Sequence, residues 1–354
     1  MSIFIIDDSV GVKKHGPAIV AENLTKVFKC KNLDSKIIST GLGGKRFEQY
    51  KILFLALFSR DIIIVYNYFP VNPVKIFLLL LLTVLRRKTN CFIHGDLPWT
   101  FPDLCNKKRM VEKFVVSNFS FVFRCLYFPS TSTKENVLKT LKFSKFSSLN
   151  VINNTISDSY FIDSNEVTSK EVVTSETNYI LVISNNDPIK RVEWFVQVFR
   201  EVVDRLRLHV PEVKLVVVGS GYDQNLSDDD VLYVGARNEY ELIKLYDGCN
   251  FFVHPSKHET FGIPLVEALS RGKLVLVESS FGVPEAIGSF GVKLCEGASE
   301  VDWKTTLIKI AENIERFYSP VRVLARKEYA KSFSAYNLSV RKSELLDENF
   351  GCNN

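Results

Sequence analysis

The sequence predicts an α/β protein of two Rossmann-like domains whose parallel sheets face each other across a cleft. Three observations carry this. The chain has 354 residues, which at about 150 residues per domain makes two domains, each long enough to bury its own core. Its 46% hydrophobic and 24% charged residues are those of an ordinary globular protein. Short runs rich in Ile, Val and Phe alternate with helix-length amphipathic stretches, and that alternation occurs twice.

In the first half, Ile3–Ile6 reads as a strand and Pro17–Phe28 as a helix with Pro at its first position. Ser35–Ser39 is a strand, Lys51–Phe58 a helix, Ile62–Tyr66 a strand and Pro73–Leu85 a helix. Strands follow at Asn90–His94, Phe121–Phe128 and Asn150–Ile152. Continuous apolar strands separated by helices belong to parallel sheets covered on both faces. The polar stretch Ser157–Thr177 reads as the interdomain connection. The alternation then restarts, with strands at Tyr179–Ile183, Lys214–Val218, Val231–Val234, Phe251–Val253 and Leu274–Val277. Helices are expected at Arg191–Leu206, Glu239–Tyr246 and Pro264–Ser270, and a helical tail after Trp303 is broken by Pro320. The expected domains are 1–160, 161–332 and a tail, 333–354, that crosses back to the first.

The charge of +5 is unevenly spread. Residues 1–170 carry 24 basic and 13 acidic side chains, and residues 171–354 carry 21 and 27. A protein that coats nucleic acid uniformly is excluded, and the basic half points to an anionic partner. Seven cysteines without a Cys-x-x-Cys pair argue against a zinc ribbon, an iron–sulfur site or a disulfide framework, and they suit a reducing, cytoplasmic setting. The N-terminus lacks the basic region and cleavage site of a signal peptide. The longest apolar run, Ile76–Leu85, is well short of the roughly 18 residues that span a bilayer. With Lys75, Arg86, Arg87 and Lys88 at its ends, that helix is either a sheet-covering element or one that dips into an anionic membrane surface.

The most informative stretch is Phe251-Phe-Val-His-Pro-Ser-Lys-His-Glu-Thr-Phe-Gly-Ile-Pro-Leu-Val-Glu-Ala-Leu. A strand ends, a polar loop follows, and Gly262-Ile263-Pro264 launches a helix. Amides at a helix start lack intrahelical acceptors and suit a phosphate or diphosphate. Glu259 and Glu267 flank that start, and carboxylates accept hydrogen bonds from hydroxyls. Sugar or ribose hydroxyls on either side of a diphosphate match the arrangement, which is that of a nucleotide-sugar. Spacing alone is weak: Glu193 and Glu201 are also eight apart, on a helix face that reads as solvated.

This stretch resembles the E-x7-E signature of retaining glycosyltransferases of family 4, which have the GT-B fold. Asp187-Pro-Ile-Lys190 resembles the family's donor-phosphate lysine segment. Val216-Val-Val-Gly-Ser-Gly221, Tyr233-Val-Gly235, Glu241-Leu-Ile-Lys-Leu-Tyr246, Gly282-Val-Pro-Glu285 and Phe333-Ser334 follow in the family's order. The first half matches through Phe92-Ile-His94-Gly95, Val151-Ile-Asn-Asn-Thr-Ile156 and His15-Gly16-Pro17. The resemblance implies that Glu259 contacts the transferred sugar, as hydroxyl binder or nucleophile. It implies that Lys190 neutralises the diphosphate, that Glu267 holds the ribose hydroxyls and that His94 faces the sugar from the first domain. Phe261, Gly262, Ile263, Gly16, Asn185 and Gly219 complete the implied donor contacts. Fixed positive charge and helix-start amides would stabilise the departing diphosphate without a catalytic metal or cofactor.

Three departures bear on donor affinity. Asn185 stands where the family carries an arginine, with Arg191 the nearest replacement; His15 replaces a loop glycine, and Thr155 a turn glycine. His254 and His258 read as strand-end and loop polar groups, Asp228-Asp-Asp230 as a solvated loop, and Gly41-Leu-Gly-Gly-Lys45 as a loop without P-loop spacing. The expectation is therefore a retaining glycosyltransferase of hexosyl type. It would move sugar from a nucleotide-sugar to a sugar, glycolipid or glycoprotein acceptor, in the cytoplasm and in peripheral contact with anionic membrane. A sugar-nucleotide epimerase or phosphorylase of the same architecture, and a catalytically weak sugar-binding scaffold, stay open beside it.

Overall fold

A computed structural model describes residues 3–7, 16–39, 50–51, 53–55, 57–58, 62–66, 73–85, 89–93, 123–140, 148–162, 173 and 177–350. The chain divides into two compact units, 1–156 with 333–354, and 157–332. The first boundary falls at Ile156/Ser157, four residues before the expected one, and the C-terminal segment belongs to the first unit.

The first unit holds a six-stranded parallel sheet in the order β2-β1-β3-β4-β5-β6. Its strands are β1 (Ile3–Asp7), β2 (Ser35–Ser39), β3 (Ile62–Tyr66), β4 (Thr89–Phe92), β5 (Cys125–Phe128) and β6 (Ser148–Val151). The expected strands at 90–94, 121–128 and 150–152 shift accordingly, because ladder pairing rather than apolarity sets where a strand ends: β5 pairs β4 and β6 only over 125–128. Its helices include Gly16–Cys30, Pro73–Val84 and Thr131–Thr140, and residues 50–51 and 53–55 are helical within the stretch expected to be a helix. Thr131–Thr140 escapes a periodicity argument because its sequence, Thr-Ser-Thr-Lys-Glu-Asn-Val-Leu-Lys-Thr, is largely polar. The C-terminal helices Ala335–Arg341 and Ser343–Phe350 are tied to this unit. Ile156 N donates to Phe333 O (3.2 Å), and Lys31 Nζ donates to Ser343 Oγ (2.7 Å). Thr155 is buried, and its carbonyl accepts from Asn23 Nδ2 at 2.8 Å.

The second unit holds β7 (Tyr179–Ile183), β8 (Lys214–Val218), β9 (Val231–Gly235), β10 (Phe251–His254), β11 (Val275–Glu278) and β12 (Val292–Leu294), all parallel, in the order β12-β11-β10-β7-β8-β9. The winding reverses between β7 and β10, so a crevice opens beyond their carboxyl ends, where ligands of doubly wound sheets bind. The strands' Val, Leu and Phe side chains pack on Phe195, Phe199, Leu206 and Trp303 from the covering helices. The helix expected over 191–206 is two, Val192–Arg200 and Val203–Arg207. Val202 leaves helical geometry (φ −120°, ψ −3°), and the break buries the adjacent Val202 and Val203 together. The expected connection at 157–177 begins as a single 3₁₀ turn, Asp158–Phe161, with Ser159 and Tyr160 buried. Pro320 opens the helix Pro320–Lys331 instead of only ending one. Among the described residues no helix is long and apolar enough to cross a membrane.

Candidate functional site

The site is built where β7, β8, β10 and β11 end. After β7, Asp187 Oδ1 accepts from Ile189 N at 3.0 Å and starts the 3₁₀ turn Pro188–Lys190. After β10, the loop 255–262 docks on that turn: Lys257 N donates to Ile189 O (3.0 Å) and Arg191 Nε to Pro255 O (2.8 Å). The docking brings Lys190 Nζ to 2.7 Å from Glu259 Oε2. From β11, Gly282 N donates to Glu259 O at 3.0 Å, and a Cβ on Gly282 would lie 1.9 Å from Thr260 O. From β8, Gly219 lies so close to β7 that a Cβ would sit 1.9 Å from Ser184 O. Asn185 Oδ1 accepts from Ser220 N (3.2 Å) and Ser220 Oγ (2.9 Å), joining the ends of β7 and β8.

Glu259 is held by two groups on one oxygen, Lys190 and His254, whose Nε2 lies 3.0 Å from Oε2. Burial opposes ionisation of this carboxyl. The Lys190 charge and the His254 hydrogen bond outweigh it and hold the group well below the usual carboxylate range. An ionised carboxylate only accepts, so His254 Nε2 carries the proton in this bond. His254 is 3% exposed, and its Nδ1 has no hydrogen-bond partner among the described residues.

The helix Ile263–Ser270 begins after Gly262, whose φ of +87° is open to glycine at little cost. Pro264 is the second helical residue, one later than expected. Leu265 N turns back to Gly262 O at 3.0 Å, and Pro264 has no N–H. Gly262 and Ile263 thus supply the backbone N–H groups at the helix start, which have no acceptor within the helix. Phe261 is fully buried and anchors the loop. Glu267, also buried, accepts from Tyr246 Oη at 3.0 Å. Burial pushes its pKa up to about 7 against the lowering effect of the Tyr246 and Tyr160 hydroxyls.

The structure thus brings Lys190, Glu259, Phe261, Gly262 and Ile263 together, with Asn185 and Gly219 on the neighbouring strand ends. Gly16 is the first residue of the Gly16–Cys30 helix, and His94 lies outside the described residues. Arg191 does not replace the missing arginine. It is the left-handed cap (φ +51°) of the 188–190 turn, pairs with Glu278 at 2.5 Å and lies over Trp194 at 5.0 Å. Asp228 and Asp230 are engaged by Arg200 (2.5 Å) and Arg207 (2.7 Å). His258 lies in the 255–262 loop, as expected, and is buried there with its ring edge-on to Phe281 at 3.6 Å. Sequence reasoning missed His254, Tyr160 and Tyr246 as partners of the two carboxylates. The available signal for His254 was its place at the carboxyl end of an apolar strand next to the switch point.

A doubly wound unit with a cation, two carboxylates and a helix start at its switch point has the groups that a ligand carrying phosphates and hydroxyls would need. Residues 163–316 match the family described as Glycosyl transferases group 1, so this part of the chain is a group 1 glycosyltransferase domain. The chain is similar to the serotype-specific mannosyltransferase WbdA of Escherichia coli, at 27% identity over 34% of this chain and 16% of that protein. It is also similar to the O-antigen chain mannosyltransferase RfbU of Salmonella typhimurium, at 25% identity over 66% of this chain and 62% of that protein. The matches thus span less than two thirds of either relative. Among solved structures, Anabaena HepE in complex with UDP-glucose superposes with a TM-score of 0.69 at 14% identity, covering 98% of this chain and 100% of that one. At that identity the likeness establishes the fold, which is GT-B.

Proposed function

We propose that the protein is a retaining glycosyltransferase of hexosyl type that uses a nucleotide-diphosphate sugar without a metal ion or cofactor. The observation that carries this is the Lys190–Glu259–His254 cluster beside the start of the Ile263–Ser270 helix, within a group 1 domain. Before donor binds, Lys190 and Glu259 neutralise each other. A diphosphate draws Lys190 to itself and frees Glu259 for the sugar hydroxyls, while the Gly262 and Ile263 amides take part of the charge that develops on the leaving group. Glu267 receives the ribose hydroxyls. The first unit takes the acceptor (a sugar, glycolipid or glycoprotein), with His94 as its contribution to the reacting sugar and an anionic membrane surface as a further partner.

The test needs no acceptor: binding and slow hydrolysis of UDP-, GDP-, ADP- and dTDP-sugars by the full chain, with the anomer first released read by NMR. One donor should bind and hydrolyse with retention, with and without chelator. Lys190→Ala and Glu259→Ala should each lower that rate by about 10²-fold or more, as expected for loss of a group that stabilises developing charge. Full activity in either variant refutes the assignment. A requirement for inorganic phosphate would select the phosphorylase instead, and tight binding with no turnover would select the scaffold.

A further inference from the structure

We infer that Tyr160 and Tyr246 are positioning residues that hold the Glu267 carboxyl for the ribose, which makes the 157–162 segment a wall of the donor site. The inference rests on the reading of Glu267 as ribose binder and extends it to two residues outside the motif. The geometry is specific. Tyr246 is fully buried and places Oη 3.0 Å from Glu267 Oε2 and 3.1 Å from Pro264 O. Tyr160 is 2% exposed, lies edge-on to Tyr246 with ring centroids 6.2 Å apart, and its hydroxyl acts on Glu267 to lower the pKa of that carboxyl.

The backbone that carries Tyr160 is itself clamped. Arg271, at the end of the helix bearing Glu267, donates through Nη1 to Tyr160 O (3.0 Å) and Ile162 O (2.7 Å). The same guanidinium makes a bidentate pair with Asp247, at 2.8 Å for both bonds. Ser159 Oγ bonds Glu239 on the helix that carries Tyr246. Buried hydroxyls locked this firmly fix a carboxyl's orientation, and a side chain free to rotate would bind a ribose more weakly.

The arrangement has two proton states. With Glu267 ionised, Tyr246 donates to Oε2. With Glu267 neutral, its O–H donates to Tyr246 Oη, and the tyrosine proton turns to Pro264 O. Ribose hydroxyls donate to the ionised form, so ribose-dependent affinity should rise with pH. The groups facing the carboxyl set the midpoint: burial and Glu239 raise it, and the two tyrosines lower it. Arg271 acts on Tyr160, and Cys249 on Tyr246. Loss of a tyrosine hydroxyl therefore moves the midpoint upward.

The test is calorimetric affinity of the full chain for UDP, GDP and ADP and for their 2′,3′-dideoxy counterparts, from pH 5.5 to 9. Wild type should prefer one ribonucleotide to its dideoxy form by roughly tenfold or more, with a midpoint near 7. Tyr246→Phe and Tyr160→Phe should each remove most of that preference and shift the midpoint up, leaving dideoxy affinity unchanged, which also reports that the variants fold. If both variants keep the preference and the midpoint while Glu267→Ala loses the preference, the ribose reading stands and the positioning role falls. If Glu267→Ala keeps the preference, or no nucleotide binds, the ribose reading itself falls and the inference with it.

Discussion

Glu259 and Glu267 share one loop and helix, yet their surroundings drive their protons in opposite directions. Lys190 and His254 keep Glu259 ionised, whereas burial, helped by the Glu239 charge and opposed by the tyrosine hydroxyls, pushes Glu267 up to about 7. The difference has a thermodynamic signature. Between the ordinary value of 4.5 and about 7, folded Glu267 holds a proton that the unfolded chain has released. Stability from this group is therefore fully present at low pH and is lost as pH rises through that window. Glu259 has the opposite sign, and its contribution is lost only at lower pH, so it stays constant from pH 5 to 8. Glu267→Gln keeps an acceptor for the tyrosines and carries no charge. It should abolish the downward slope and stabilise the protein at pH 8 by on the order of 3 kcal/mol. Urea midpoints at pH 5 and pH 8 check this, and parallel behaviour of wild type and variant would defeat it. Glu259 and Glu267 stand out in the sequence because loop, helix start and spacing are local features of the chain, whereas Lys190 stands out only through the resemblance of its segment. Tyr160 does not, since its role exists only once a turn 107 residues before Glu267 packs on that helix.

At the scale of elements, the strands of the second unit were readable because buried parallel strands are plain apolar runs. What escaped were features decided by contact: the break at Val202, the short β12, and the turn in what reads as a polar connection. The glycines show the same division. Gly219 and Gly297 look alike in sequence, and both have positive φ, +153° and +77°. A Cβ on Gly219 would meet the Ser184 carbonyl oxygen at 1.9 Å, while one on Gly297 would meet nothing within 4 Å. Gly297→Ala should therefore cost only the left-handed backbone penalty, about 1 kcal/mol. Gly219→Ala must part the ends of β7 and β8, at roughly 2–4 kcal/mol, and it should weaken nucleotide binding by disturbing the Asn185–Ser220 contact. Chemical denaturation of the two variants separates these outcomes, and equal losses would mean that the close approach of the strands is not what requires glycine.

For the molecule as a whole, two domains were legible because the alternation of strand and helix restarts after residue 177. Assigning the C-terminal helices to the first unit sharpens the charge division: 1–156 with 333–354 carries 25 basic and 13 acidic residues, and 157–332 carries 20 and 27. The second unit is thus net acidic, so the phosphate binding proposed for it would depend on local groups such as Lys190 and helix-start amides and not on a general field. The first unit, at +12, has the sign and size that attract an anionic surface. Its Pro73–Val84 helix adds a second observation. Leu78 and Leu82 face the core, whereas Val74, Phe77, Val84 and Leu85 are exposed, and a 3.6-residue period puts these four on one side. Basic charge contributes about 1 kcal/mol per residue near an anionic leaflet and is screened by salt, whereas an inserted apolar face is not. The protein should therefore float with anionic vesicles at low salt, float less at high salt, and bind neutral vesicles poorly. Phe77→Ser should reduce the salt-resistant fraction without changing hydrolysis of a soluble donor. Equal flotation with anionic and neutral vesicles would remove the anionic surface as the partner of the basic unit, and no flotation with either would leave that unit to an acidic, soluble acceptor.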